Sequence, residues 1–167
     1  MNSLVLSIDP GSRCGIAQVY VDKPDPERLF FTSSYPLAHL WENLADTAEG
    51  CAAVILEDTR QLPVYARYGA KVMSRAARDR MCMNIGQVHM ATKLLEERCH
   101  ALGLPVILHT PRGRAAKKWT PKQYQAYTHT TGKASGEHVR DAVRNAWGYT
   151  RLHVADAIQR TQAEASR

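Results

Sequence analysis

The chain predicts an α/β fold, a mixed five-stranded sheet with helices packed on its faces. Two observations carry the expectation. Apolar runs at Leu4–Ile8 and Gly15–Val21 flank the tight turn Pro10-Gly11-Ser12 and read as a hairpin. Beyond a third strand, short apolar runs at Cys51–Leu56 and Leu104–His109 alternate with stretches whose apolar residues recur at three- and four-residue steps. The order is then a three-strand meander, helix, strand, helix, strand, helix.

Taken in order, Leu4, Val5, Leu6 and Ile8 form a strand that delivers Asp9 to its end, and the glycines of the turn keep the space around that carboxylate clear. After the turn-rich Asp22-Lys-Pro-Asp-Pro26, Arg28–Ser34 reads as the third strand. Pro36 opens a helix over residues 37–48 with Leu37, Leu40, Trp41, Leu44 and Ala45 on one face, and Gly50 stops it. Cys51–Leu56 is continuously apolar, as in a strand buried on both faces, and ends in Glu57-Asp58, whose side chains point to opposite faces. Residues 60–80 read as an irregular or partly helical surface segment. A long helix follows from Arg80 to Gly103, with Met81, Ile85, Val88, Leu95, Cys99 and Leu102 in one stripe that serves either the core or a subunit contact. Leu104–His109 is the last strand. Thr120 as N-cap and Pro121 at the first position open another helix. The final helix starts at Glu137 and runs to Ala163, with a weak point at Gly148. Within it His138-Val-Arg-Asp141 is echoed by His153-Val-Ala-Asp156; the two aspartates lie ~22 Å apart along a helix and share a site only if that helix breaks.

A length of 167 residues fits one domain. No apolar run approaches ~18 residues and no basic-then-apolar leader is present, which points to a cytoplasmic protein without a membrane partner. The four cysteines (Cys14, Cys51, Cys82, Cys99) are scattered and read as reduced thiols packed as small apolar groups. The net charge of +6 is unevenly placed. Arg60, Arg67, Lys71, Arg75, Arg78 and Arg80 face one acid, Asp79, in residues 60–80. Arg112, Arg114, Lys117, Lys118 and Lys122 face none in residues 110–122. Eleven basic side chains against one acid leave the rest of the chain at −4. A solvated surface normally mixes signs; this concentration is the footprint of a polyanion, and Tyr65 and Tyr68 interleave the first stretch as nucleic-acid surfaces do.

Carboxylates thus stand at the end of the first strand (Asp9), at the end of the fourth (Glu57) and near the start of the last helix (Asp141). Mg²⁺ and Mn²⁺ need hard oxygen ligands, and two such ions roughly 4 Å apart can clamp a phosphodiester. His138 lies one helical turn before Asp141, on the same face, where an imidazole can ligate metal or move a proton. Taken singly, Asp9 also reads as an acid opening a polar turn, and His138 with Asp141 as a surface pair.

Ile8-Asp-Pro-Gly-Ser-Arg13 with Gly15-Ile-Ala17 resembles the opening motif of the RuvC family of Holliday-junction resolvases, which have the RNase H-like fold. Ile55-Leu-Glu57 resembles the family's second acidic strand, and Asn84-Ile-Gly-Gln-Val88 the start of its long central helix. Glu137-His-Val-Arg-Asp-Ala142, after Thr131-Gly132, is similar to the final motif of phage-type RuvC-like proteins. The resemblance implies a homodimer that cuts symmetrically across a four-way DNA junction with Mg²⁺ or Mn²⁺, two ions per active site. It makes Asp9, Glu57 and Asp141 the metal-binding acids. His138 becomes the fourth active-site and metal-binding residue, an acid in some members and a histidine in others. The two basic stretches supply the expected DNA-binding set, Arg60, Tyr65, Arg67, Tyr68, Lys71, Arg75, Arg112, Arg114, Lys117, Lys118 and Lys122, of which Lys117 and Lys118 resemble in rough placement the family's backbone-contacting lysines. Bacterial members place an aromatic three residues after the second acid to help open the junction. This chain has Arg60 there, leaving Tyr65 or Tyr68 as substitutes. Two other readings share the fold: a Yqg-type nuclease processing ribosomal RNA precursors, and a nucleic-acid-binding module without catalysis.

Overall fold

The computed structural model describes residues 3–60, 62, 74–111, 118–130 and 136–166. The DNA-binding expectations for Tyr65, Arg67, Tyr68, Lys71, Arg112, Arg114 and Lys117 lie outside the described residues. Five strands form one mixed sheet in the order β3-β2-β1-β4-β5. β1 (Leu4–Asp9), β2 (Arg13–Tyr20) and β3 (Leu29–Pro36) make the antiparallel meander. β4 (Ala53–Glu57) and β5 (Val106–His109) continue from β1 in parallel. Parallel neighbours need a crossover connection, which runs through the meander and two short helices between β1 and β4 and through one long helix between β4 and β5.

Strand alternation sorts the core into two layers. Val5, Ala17, Val19, Ile55 and Ile107 pack against Ala142, Val143 and Ala146 of α5 (Glu137–Trp147) and Val154 of α6 (Arg151–Ala165). On the other face Leu6, Ile8, Ile16, Val54 and Leu56 meet Leu40, Leu44, Leu95 and Cys99. Those four come from α1 (Leu37–Glu42), α2 (Leu44–Thr47) and α3 (Arg75–Ala101). Being covered on both sides, β1 and β4 are buried at every position, which is why their sequences read as unbroken apolar runs.

Several boundaries differ from the sequence expectation, each for a local reason. The helix over residues 37–48 breaks at Asn43, whose backbone N–H and side-chain amide both turn back to the His39 carbonyl, at 3.1 and 2.8 Å. Trp41 and Ala45 are exposed, not core-facing, and Trp41 instead lies under the Arg98 guanidinium. α3 begins five residues earlier than Arg80, because Ser74 caps it by accepting from the Ala77 N–H at 3.3 Å. Its buried stripe is Ile85, Ala91, Thr92, Leu95 and Cys99, with Met81 and Val88 only half-buried. Gly103, at φ +67°, ends the helix as expected. Thr120 caps α4 (Pro121–Thr128) in a capping box with Gln123. The expected final helix is two helices, since the chain leaves α5 at Gly148 and restarts at Thr150, whose N–H is accepted by His153 Nδ1 at 3.2 Å. Cys14 and Cys99 are buried and Cys51 half-buried, as expected of packed thiols, whereas Cys82 is exposed. Among the described residues no helix is long and apolar enough to cross a membrane.

Candidate active site

Asp9 ends β1 and Glu57 ends β4. The two strands are parallel neighbours with Ile8 opposite Leu56, so both carboxylates emerge at the same end of the sheet. Alternation also puts both on the α5 side, with Val5 and Ile55, while Asp58 turns to the α3 side. There Asp58 is almost completely buried and accepts from Arg60 Nε at 2.8 Å; Arg60 Nη1 lies 2.7 Å from Glu96 of α3.

α5 carries the remaining acid across the strand ends. Its N-terminus comes so close to β2 that a Cβ at position 15 would overlap the His138 carbonyl; Gly15 is what lets the helix dock. Docked, α5 buries Asp141 and Asn145 against the acids and leaves His138 half-exposed. His138 Nδ1 lies 2.7 Å from Asp9 Oδ2. Asn145 Nδ2 donates to Glu57 Oε2 at 2.7 Å. Arg144 reaches into the same gap, with Nη2 3.5 Å from Glu57 Oε2 and Nη1 3.5 Å from Asp141 Oδ1. Lys118 Nζ is 3.5 Å from Asp141 Oδ2 and also pairs with Glu137. Asp141 Oδ1 is buried and has no hydrogen-bond partner among the described residues.

The charges strain against one another. Burial, then the Asp9 charge, raises the Glu57 carboxyl above the usual range, against the pull of Asn145 and Arg144. Burial also raises Asp141, opposed by Arg144 and reinforced by Asp9. The hydrogen bond to Asp9 raises His138. Three carboxylates gathered so that two resist ionisation make a site that gains from a cation.

Two solved structures share this architecture. A Thermus thermophilus RuvC in complex with Holliday junction substrate superposes with a TM-score of 0.57 over 92% of this chain and 94% of that one, at 15% identity. A second Thermus thermophilus RuvC structure gives a TM-score of 0.54 over 95% and 96%, at 13% identity. The chain has the RuvC-like RNase H fold. No family model and no curated protein matches it.

Within this RuvC-like fold Asp9, Glu57, His138 and Asp141 are brought together at one end of the sheet, whereas Asp156 is exposed on a separate helix. Arg60 is tied to Asp58 and Glu96 on the opposite side of the sheet from Glu57. Arg75 and Lys122 are exposed in the first turns of α3 and α4. Arg144 was not among the residues singled out from sequence. The available signal was its spacing, for it follows Asp141 by three positions and so shares that residue's helix face.

As the side chains stand, no group of three or more His, Cys, Asp or Glu among the described residues is disposed to hold a metal ion. The chemistry of the donors nonetheless fits one. Asp9, Glu57 and Asp141 offer the hard oxygens that Mg²⁺ and Mn²⁺ take, and the buried Asp141 Oδ1 makes no hydrogen bond among the described residues, its ion-pair contact to Arg144 Nη1 being 3.5 Å.

Proposed function

We propose that the chain is a Mg²⁺- or Mn²⁺-dependent endodeoxyribonuclease that resolves four-way DNA junctions in recombination and repair, working as a homodimer. The observation that supports this most is the convergence of Asp9, Glu57 and Asp141, with His138 held 2.7 Å from Asp9, at the strand ends of a RuvC-like fold. The solved neighbour's own complex with a Holliday junction supports the choice of substrate.

Asp9, Glu57 and Asp141 would hold the divalent ion, which when bound supplies an activated water and neutralises phosphate oxygens. The chain's own groups do the rest. Asn145 fixes Glu57 through its Oε2, and Asp9 fixes the His138 ring through Nδ1. His138 is half-exposed and its hydrogen bond to Asp9 favours the protonated ring, whose proton it can pass to a leaving 3′ oxygen. Lys118, 62% exposed beside Asp141, is placed to meet the phosphate backbone. For a homodimer, the exposed side of α3 offers Met83, Met90 and Leu94, which recur at helical spacing.

The test is incubation with Mg²⁺ or Mn²⁺ and equal amounts of four-way junction, linear duplex and structured RNA. The expected result is paired cuts in the junction that vanish with chelator. Preferential cutting of RNA would favour the Yqg-type reading, and binding without cutting in either metal would favour a non-catalytic module.

A further inference from the structure

The anomaly at this site is a buried cation. The Arg144 side chain is only 9% exposed, against 62% for Lys118. Burying a guanidinium is costly unless good hydrogen bonds offset it, and here they are few. Nε is buried without a hydrogen-bond partner among the described residues, and the contacts to Glu57 and Asp141 are ion-pair distances of 3.5 Å. The one short bond, Nη2 to Asn145 Oδ1 at 2.8 Å, holds the group in place without meeting its charge. What justifies the position is electrostatic: the guanidinium spans one oxygen of Glu57 and one of Asp141, the place where a cation shared by those two carboxylates would lie.

We infer that Arg144 takes the place of a second divalent ion, so that this site binds one ion and uses the guanidinium as its other fixed positive charge. This rests on the nuclease reading and departs from the two-ion expectation drawn from the sequence. An arginine suits the role because it cannot deprotonate, and its fork can face two carboxylates at once. Asn145 links the arrangement together, accepting from Arg144 at Oδ1 while donating to Glu57 from Nδ2.

The experiment is a Mn²⁺ titration of the DNA-free protein followed by electron paramagnetic resonance, which counts bound ions and reports exchange coupling between neighbouring ones. Wild type is expected to bind one ion per chain with no coupled signal. Arg144→Gln, which removes the charge and keeps much of the volume, is expected to gain a second, coupled ion or to bind the first roughly tenfold more tightly. Arg144→Lys, which keeps the charge, is expected to stay at one ion. Two coupled ions on wild type would overturn the inference even if the glutamine variant failed to fold. So would a folded Arg144→Gln protein with unchanged stoichiometry and affinity. Failure of the nuclease reading looks different: Mn²⁺ binding, if any, would then be indifferent to Glu57→Gln.

Discussion

His138 Nδ1 and Asp9 Oδ2 stand 2.7 Å apart although 129 residues separate them in the chain. The contact joins the last motif to the first and closes the site across the strand ends. Each partner has a distinct expected loss. Asp9→Asn removes a charge that would hold metal and is expected to lower junction cleavage by about three orders of magnitude or more while leaving DNA binding nearly intact, since that comes from basic side chains. His138→Ala is expected to keep Mn²⁺ binding and to lose more activity at low pH, where the wild-type ring carries the proton it donates, than at high pH, where it does not. Asp156→Asn, on the exposed echo of the motif, is expected to cleave like wild type. Rates of the three variants on one junction across pH check this, and a dead Asp156 variant beside an active Asp9 variant would relocate the site.

Gly15 is the residue on which the docking of α5 depends. Because an added Cβ would meet backbone at His138 and Val139, not a side chain that can swing away, Gly15→Ala is expected to cost about 2–4 kcal/mol and to reduce cleavage with it. Gly86, mid-helix with open space around it, is the control: Gly86→Ala is expected to be neutral or to stabilise by about 0.5–1 kcal/mol. Thermal melts of both variants decide it.

Glu57 and Asp58 are adjacent acids with separable jobs. Glu57→Gln is expected to abolish cleavage with the fold retained. Asp58→Asn, which breaks the pair with Arg60, is expected to leave the chemistry intact and cost about 1–3 kcal/mol of stability. An Asp58 variant of wild-type stability and no activity would reverse the two roles.

How much of this was legible in the sequence depended on how local the cause was. Period-two alternation put Glu57 and Asp58 on opposite faces because a strand's geometry leaves no other choice, and the capping pair Thr120-Pro121 marked a helix start by its own chemistry. The resemblance of the Asp9 and Asp141 motifs to one family gave the fold its name before any distance was known. Two local signals were passed over: Asn43 folds back on His39, four residues earlier, and Ser74, a favoured N-cap residue, accepts from Ala77, three residues on. The rest was set by tertiary contact. Arg144 drew no reading from sequence because its burial beside Glu57 and Asp141 depends on acids supplied by different elements. The pairing of Arg60 with Glu96, in the last third of α3, at 2.7 Å likewise depends on the fold.

The raised acids also predict how pH and metal act together. Glu57 and Asp141 have folded pKa values above their ordinary ones, chiefly from burial, and His138 is raised through its bond to Asp9. For the two acids, ionisation in the fold is resisted, so the metal-free protein loses stability as pH rises from the ordinary carboxylate range through the raised values. For His138, the stabilising proton is fully held below the ordinary imidazole value and is lost as pH rises through the raised one; the half-exposed ring makes this share small. All three act in one direction. Asp58, Asp22 and Glu137 have lowered pKa values, so their contributions are lost only in acid below the ordinary carboxylate range, whereas His109, lowered by burial, costs stability as pH falls through the ordinary imidazole range. The share of the raised acids is therefore read against Glu57→Gln: chelated wild type is expected to gain more in melting temperature than that variant as pH falls from neutrality. Added Mn²⁺ is expected to stabilise more at pH 8 than at pH 5.5, because it binds the ionised acids that cost stability without it. Glu57→Gln should flatten both trends. Melting curves at several pH values, with chelator and with Mn²⁺, measure this directly. A Mn²⁺ effect that is constant across pH would mean that the ion binds somewhere other than these carboxylates.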